Sequence, residues 1–374
     1  MKSEKILIIS RSFYPMNSPR SFRTTELAKE LARLGHEVTV LTPKKKEHKD
    51  FAKEHNLNII DLGNAKWKAI DLTGKGLNLK LKRAFRRLFQ LAFQYPDLEY
   101  TFKVKKAIQD LKQKGRKFDL LISIAVPFTI HWGVAQTWKN DSSDIAKTWI
   151  ADCGDPFMGA ENDTFKPFFY FKYVEKWFCK KVNYLTVPVT SAIEAYYPEF
   201  HHKIKVIPQG FNFDEVKLAP KENKPYPHFA YAGGLIPGRR DPKAFFEYLV
   251  SLDMDFQFDF YTNSEALVKP YADRSKGRIV IKPYIPRLEL LYELSKLDFV
   301  VNFENAGQKQ IPSKIIDYSI INKPILSINS FVFNPKITIQ FLSQDFSNAI
   351  KLERIENYKI ENVARAFMNL SNKK

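Results

Sequence analysis

The strongest constraint on the fold is a strand-helix-strand order near the start of the chain. "KILIIS", Lys5 to Ser10, places Ile6, Leu7, Ile8 and Ile9 in an unbroken apolar run, the pattern of a strand buried on both faces of a parallel sheet. Ser18 and Pro19 then read as a helix cap and first helical residue; Leu27, Ala28, Leu31 and Leu34 form one helical face that stops at Gly35. "HEVTVLT" supplies the next strand, completing a βαβ unit. The alternation continues through "FDLLISIAV", "KTWIAD", "YLTVPV" and "IKVIPQG". It pauses in the turn-rich stretch from Phe211 to His228 and restarts with "FAYAG", "FQFDFYT", "RIVIKPY", "DFVVNF" and "PILSI". Two α/β units in succession follow from this order, and at 374 residues the chain is long enough for two cores.

Charge narrows the partners. Lys and Arg outnumber Asp and Glu by 59 to 41, an excess that favours anionic ligands. No helix-turn-helix, RNA-recognition or zinc module accompanies that excess, so nucleic acid is not the expected partner. Cys153 and Cys179 alone support neither a disulfide framework nor a zinc site, which points to a reduced, cytoplasmic compartment. No stretch is apolar and long enough to span a bilayer, and the N-terminal run is too short for a signal peptide.

The basic residues concentrate in "KGLNLKLKRAFRRLFQLAFQYP". Leu77, Leu81, Ala84, Phe85, Leu88 and Ala92 recur at helical spacing, with Lys80, Lys82, Arg83, Arg86 and Arg87 filling much of the remainder. Two readings fit this pattern: a helix lying on an anionic membrane surface, and a surface helix with its apolar stripe on the core.

Candidate chemistry sits in the loops that leave the strands, where open α/β sheets bind ligands. Arg11, Arg20 and Arg23 surround the first helix start, where Ser18 caps the helix, an anion-binding position, and no GxGxxG accompanies them. Asp152 and Asp155 follow "KTWIAD" and are candidates for acid-base work or hydroxyl binding, with a turn role as the competing explanation. His131 opens a helix beyond another strand and is a second candidate base. In the second half, Gly233 and Gly234 permit close backbone approach, and Arg239 and Arg240 offer planar donors suited to phosphate. Pro312, Ser313 and Lys314 open a helix whose amides suit an anion, and Asp317 stands one turn in.

Taken in order, "ELARLGHEVTVLT", "WIADCGDPF", "IKVIPQGFN", "FAYAGGLIPGRRDP", "LYELSKLDFVVNF" and "QIPSKIIDYSIINKPIL" resemble the bacterial GT-B glycosyltransferases of the group-1, polysaccharide-building type, over about residues 5 to 330. The resemblance implies two Rossmann-like domains facing across a cleft: residues 1–210 for the acceptor and 225–350 for the donor, with the helix within 356–374 packing back on the first. It implies that Arg239, Arg240 and the amides at Ser313 and Lys314 hold the diphosphate of a nucleotide sugar, with Asp317 binding the ribose as the second acid of an E-x7-E motif. Lys309 occupies the position of the first acid, so attention passes to Gln308 and Gln310 for orienting the sugar. Gly154 stands where a related "DFRDP"-like segment carries Arg.

The reaction so implied is metal-independent hexosyl transfer with retention, from a nucleoside diphosphate sugar to a hydroxyl of a glycan or lipid-linked acceptor in polysaccharide biosynthesis. The nucleotide sugar is a substrate, and no cofactor is expected. Cytoplasmic placement, peripheral on the inner membrane face, accompanies that reading. An epimerase or hydrolase on the same fold, or a non-catalytic basic peripheral protein, are the alternatives.

Overall fold

The computed structural model describes residues 3–73, 76–139, 144–159, 165–238, 240–304 and 313–371. The chain divides into two compact units: Met1–Phe211 with Asn357–Lys374, and Asn212–Glu356.

Among the described residues, the strands of the first unit are β1 (Lys5–Ser10), β2 (Glu37–Thr42), β3 (Asn58–Asp61), β4 (Phe118–Ile124), β5 (Ala146–Asp152), β6 (Tyr184–Val187) and β7 (Ile204–Val206). All pair in parallel in the order β3-β2-β1-β4-β5-β6-β7. In the central strand β1, Ile8 lies between Val40 and Ile122 and is fully buried with its apolar neighbours, each such side chain contributing roughly 1.5–3 kcal/mol. The helices are α1 (Pro19–Arg33), α2 (His48–Glu54), α3 (Gly76–Phe93), α4 (Glu99–Gln113), α5 (Thr129–Thr137) and α6 (Phe171–Lys181). Ser18 caps α1 by accepting the Ser21 N–H at 3.2 Å. Beyond its other end Gly35 takes φ +89°, and its N–H reaches the Ala32 carbonyl at 2.9 Å.

The second unit has strands β8 (His228–Ala232), β9 (Gln257–Tyr261), β10 (Ile279–Lys282), β11 (Phe299–Phe303) and β12 (Ile325–Ile328), in the parallel order β10-β9-β8-β11-β12. Its core is aromatic: the Phe229 ring stacks on Phe258 at 4.7 Å and on Phe299 at 4.5 Å. Around the sheet lie α7 (Lys243–Ser251), α8 (Glu265–Arg274), α9 (Arg287–Ser295), α10 (Ser313–Ile320) and α11 (Pro335–Leu342). The last helix, α12 (Ile360–Ser371), belongs to the first unit, where Val363, Ala364 and Phe367 join Leu27 and Leu31 of α1 in one core.

Strand order reverses direction between β1 and β4 in the first unit and between β8 and β11 in the second. Loops leaving the carboxyl ends of such neighbouring strands diverge and leave a crevice, so these are the two places to look for a site.

Candidate active site

In the second unit a pocket of about 340 Å³ opens at the β8/β11 reversal. One wall is the turn after β8. Gly233 takes φ +144° and donates its N–H to the Tyr261 carbonyl at 2.8 Å. The turn then folds on itself through paired backbone hydrogen bonds between Ile236 and Arg240. The opposite wall is the start of α10. There Lys314 extends its ammonium over Gly233, 3.0 Å from the Tyr231 hydroxyl and 4.3 Å from the centre of that ring. The Tyr231 hydroxyl in turn donates to the Gly234 carbonyl at 3.1 Å, as does Arg240 at 3.2 Å.

Burial pushes the Lys314 ammonium down to about 7, and the positive charge of Arg240 adds to the shift. No carboxylate within ion-pair distance offsets this charge among the described residues. A partly buried cation beside a glycine turn, which allows close approach, and a helix start, whose first amides have no partner within the helix, suits a phosphate.

Asp317 lines the same pocket one helical turn beyond Lys314, hence on the same face of α10. Arg287, the first residue of α9, donates to its Oδ1 from Nε at 3.0 Å and from Nη2 at 2.5 Å. Burial raises the Asp317 carboxyl and outweighs the opposing charge and hydrogen bonds of Arg287. Both donors meet one oxygen, so the second is oriented by a fixed carboxylate plane.

In the first unit the sequence candidates separate into two groups. Asp152 is buried, and it holds Arg23 through two hydrogen bonds of 2.5 and 2.7 Å while accepting the Thr186 hydroxyl at 2.7 Å. Arg23 spends its remaining donors on the carbonyls of Pro208 and Ile207. This buried pair ties α1 to β5 and to the segment just after β7, and burial keeps Asp152 out of reach of an acceptor. His131 is likewise no candidate base: it is 0% exposed, with Nδ1 2.8 Å from the Ser123 hydroxyl and Nε2 3.6 Å from Cys153 Sγ. Burial drives its imidazole down to about 3, with Asp152 only partly opposing.

Asp155, by contrast, is 57% exposed and pairs with Arg20 Nη2 at 2.9 Å. The Arg20 guanidinium lies where a side chain at Gly154 would begin, 1.6 Å from a β-carbon built there. Gly154 thus leaves the room that the Arg20 guanidinium occupies beside Asp155. Asp155 lines a pocket of about 240 Å³ with Val126, Phe157 and Arg87, the last from the end of α3.

Ser18 serves α1 as its cap, and Arg20 reaches the Asp155 site from that helix. Arg239, Gln310 and Pro312 lie outside the described residues. The α3 cations Lys80, Lys82, Arg83, Arg86 and Arg87 belong to a helix whose one buried side chain is Ala92. Its apolar residues are therefore not a core stripe, and the surface-helix reading of that kind is corrected.

Arg287 and Tyr231 were not distinguishable as site residues by motif. A cation in the first turn of a helix opposes the helix dipole, and that misplacement was the available signal for Arg287. Tyr231 reads only as one more apolar residue of its strand.

No protein-family model and no curated protein matches the chain. Solved structures do. The glycosyltransferase from Rickettsia africae ESF-5 aligns with 99% of this chain and 96% of its own, at TM-score 0.59 and 13% identity. Anabaena Alr3699/HepE, solved in complex with UDP-glucose, aligns over 98% of both chains at TM-score 0.55 and 11% identity. The UDP-GlcNAc 2-epimerase from Methanocaldococcus jannaschii does so over 98% of both chains, also at TM-score 0.55 and 11% identity. At such identities the likeness is one of architecture, and the chain has the two-sheet α/β fold of the GT-B glycosyltransferases.

Proposed function

We propose that this chain is a nucleotide-sugar-dependent glycosyltransferase of the group-1, retaining type. The observation that carries the reading is the meeting of Lys314, Gly233 and the Asp317–Arg287 pair in one pocket at the strand reversal of the second unit. In this reading Lys314, Arg240, the α10 amides and the Gly233 turn hold the diphosphate, and Asp317 accepts a ribose hydroxyl. Gln310 and Pro312 are assigned to donor binding by the resemblance alone.

The chemistry follows from charge. Breaking the glycosidic bond places negative charge on the leaving β-phosphate, and donors already fixed at that position stabilise the transition state more than the ground state. Arg240, Lys314 and the helix start supply that stabilisation with no step routed through a metal. The acceptor, a hydroxyl of a glycan or lipid-linked glycan in cell-surface polysaccharide synthesis, is assigned to the first unit. There Asp155, oriented by Arg20, interacts with the attacking hydroxyl. Which base and which hexose are used depends on a few further pocket contacts.

The test is a thermal-shift panel of nucleoside diphosphates and their sugars. At about a hundredfold excess over Kd a ligand bound by the folded state adds roughly 2.7 kcal/mol. A shift with one family of diphosphates, lost in Lys314→Met, is expected; no shift with any of them overturns the reading. The epimerase likeness supports a second reading in which the donor alone is the substrate. Incubation without acceptor separates the two, because only an epimerase interconverts its sugar nucleotide.

A further inference from the structure

Helix α3 combines two properties seldom left together on a protein surface. Its long apolar residues stand in solvent: Leu77 is 72% exposed, Phe85 is 56% exposed, and Leu81, Leu88, Phe89 and Phe93 are exposed as well. At 100° per residue these side chains sweep about half the helix circumference. Four of its five cations, Lys80, Arg83, Arg86 and Arg87, occupy the other half, and the helix contains no acidic residue. The helix is fastened by its last turns. The Leu91 carbonyl accepts the Phe168 N–H at 3.2 Å, and the Ala92 carbonyl accepts the Tyr170 hydroxyl. The segment that fastens it is also apolar and exposed, with Phe169 at 71%.

We infer that α3 and the 165–173 segment form a seat for an anionic lipid bilayer, with the phenylalanines and leucines among the acyl chains and the lysines and arginines among the headgroups. Apolar residues exposed on a helix without acids fit a charged interface, where burial and attraction to anionic headgroups add. A second copy packed on the apolar arc would leave Lys80, Arg83, Arg86 and Arg87 facing water, whereas a bilayer meets both halves of the helix, the arc with acyl chains and the cations with headgroups. Arg87, Gln90, Leu91 and Gln94 of this same stretch also line the pocket that holds Asp155. Resting on the transferase reading, this places the acceptor pocket at the bilayer surface, so that an acceptor held by a lipid tail meets Asp155 without leaving the membrane.

The test is co-sedimentation with vesicles of phosphatidylcholine alone and of phosphatidylcholine with phosphatidylglycerol. The protein is expected to bind the mixed vesicles at least about tenfold better, with the difference shrinking as salt rises. Arg83→Glu with Arg86→Glu removes that preference, and Leu81→Ser with Phe85→Ser lowers binding to both vesicles. A control, Lys49→Glu with Lys53→Glu on the exposed side of α2, makes the same change in net charge and retains binding. Equal loss in the control, equal binding to both vesicles, or dimerisation through α3 without vesicle binding would each overturn the proposal. The nucleotide thermal shift is read on every variant. Vesicle binding without any nucleotide shift defeats the transferase reading and leaves this inference standing, whereas the converse defeats the inference alone.

Discussion

The Lys314 ammonium lies directly over Gly233, so that a β-carbon built on the glycine falls 1.8 Å from Nζ. Gly233 also holds φ +144°, a conformation that side chains strongly resist. Gly233→Ala is therefore expected to act in two ways, by straining the turn after β8 and by moving Lys314 off its seat. The lysine end is flexible and moves cheaply, so the strain of about 1–3 kcal/mol dominates stability and the displaced ammonium dominates affinity. Calorimetry with UDP and a thermal melt should show both losses; unchanged affinity would remove Lys314 from the diphosphate site.

Lys314 also gives the pocket a pH signature. Its folded value, about 7, lies below the ordinary lysine value of 10.5. Between these limits the unfolded chain carries a proton that the folded chain lacks, so this residue makes stability rise with pH across that window. Below about pH 7 the cost of burying the ammonium is fully present. A bound diphosphate reverses the preference, because it needs the charged form. Affinity for UDP should thus weaken as pH rises above about 7, and Lys314→Met should flatten that dependence while losing roughly 10- to 100-fold in affinity at pH 6.5. A binding titration from pH 6 to 9 with both proteins checks the sign.

Arg287 fixes the Asp317 carboxylate through one oxygen, leaving the other for a ligand. Should that ligand be a ribose, Asp317→Ala will lower affinity for ribonucleotides about 10-fold or more and barely change that for 2′,3′-dideoxyribonucleotides. Comparing the two classes on wild type and variant is decisive, since a purely structural role for the pair would weaken both equally. Arg287→Met should follow Asp317→Ala in direction, because the freed carboxylate loses its orientation.

How much of this was legible depends on what each signal encodes. Continuous apolar runs declare strands of a parallel sheet, and β1, β4 and β11 are visible on that ground alone. The edge strand β3, with Asn58 and Asp61 at its ends, lacks such a run and passed unmarked. Strand ends identify the sheet edge where ligands bind, but not which way a side chain turns there. Asp152 closes β5 and points inward to Arg23, while Asp155, three residues later, reaches solvent. His131 looked like a base for the same reason, and its burial against Phe178 is a tertiary fact. For α3 a broad apolar arc permits two placements, and only the exposure of Phe85 and Leu77 excludes the core stripe.

The space at Gly154 bears on catalysis rather than binding. An added methyl collides with the Arg20 guanidinium, which is the mobile end of its side chain, so the fold should survive Gly154→Ala. Arg20 then leaves Asp155, whose carboxylate loses its orientation. Transfer to acceptor should fall about 10- to 100-fold, while the UDP thermal shift and the hydrolysis-independent binding of donor stay at the wild-type level. Asp155→Asn should reproduce that split. Equal losses in transfer and nucleotide binding would assign the pair to the architecture of the first unit.

Glu175 on α6 is a stability determinant unrelated to the donor pocket. It is buried, and neither carboxylate oxygen has a hydrogen-bond partner. Burial lifts its carboxyl to about 7, opposed only in part by the Met158 N–H, which falls short of hydrogen-bond geometry. The folded chain therefore keeps a proton that the unfolded chain has released above its ordinary value of 4.5. Stability from this residue is complete below about pH 4.5 and is lost as pH rises through about 7. Glu175→Gln keeps the shape and removes the titration. It should leave stability near pH 5 almost unchanged and raise it by about 1–3 kcal/mol at pH 8, where the wild type must bury a carboxylate. Urea unfolding of the two proteins across pH 5 to 8 measures the difference, and parallel curves would mean that the carboxylate finds solvent or a partner when it ionises.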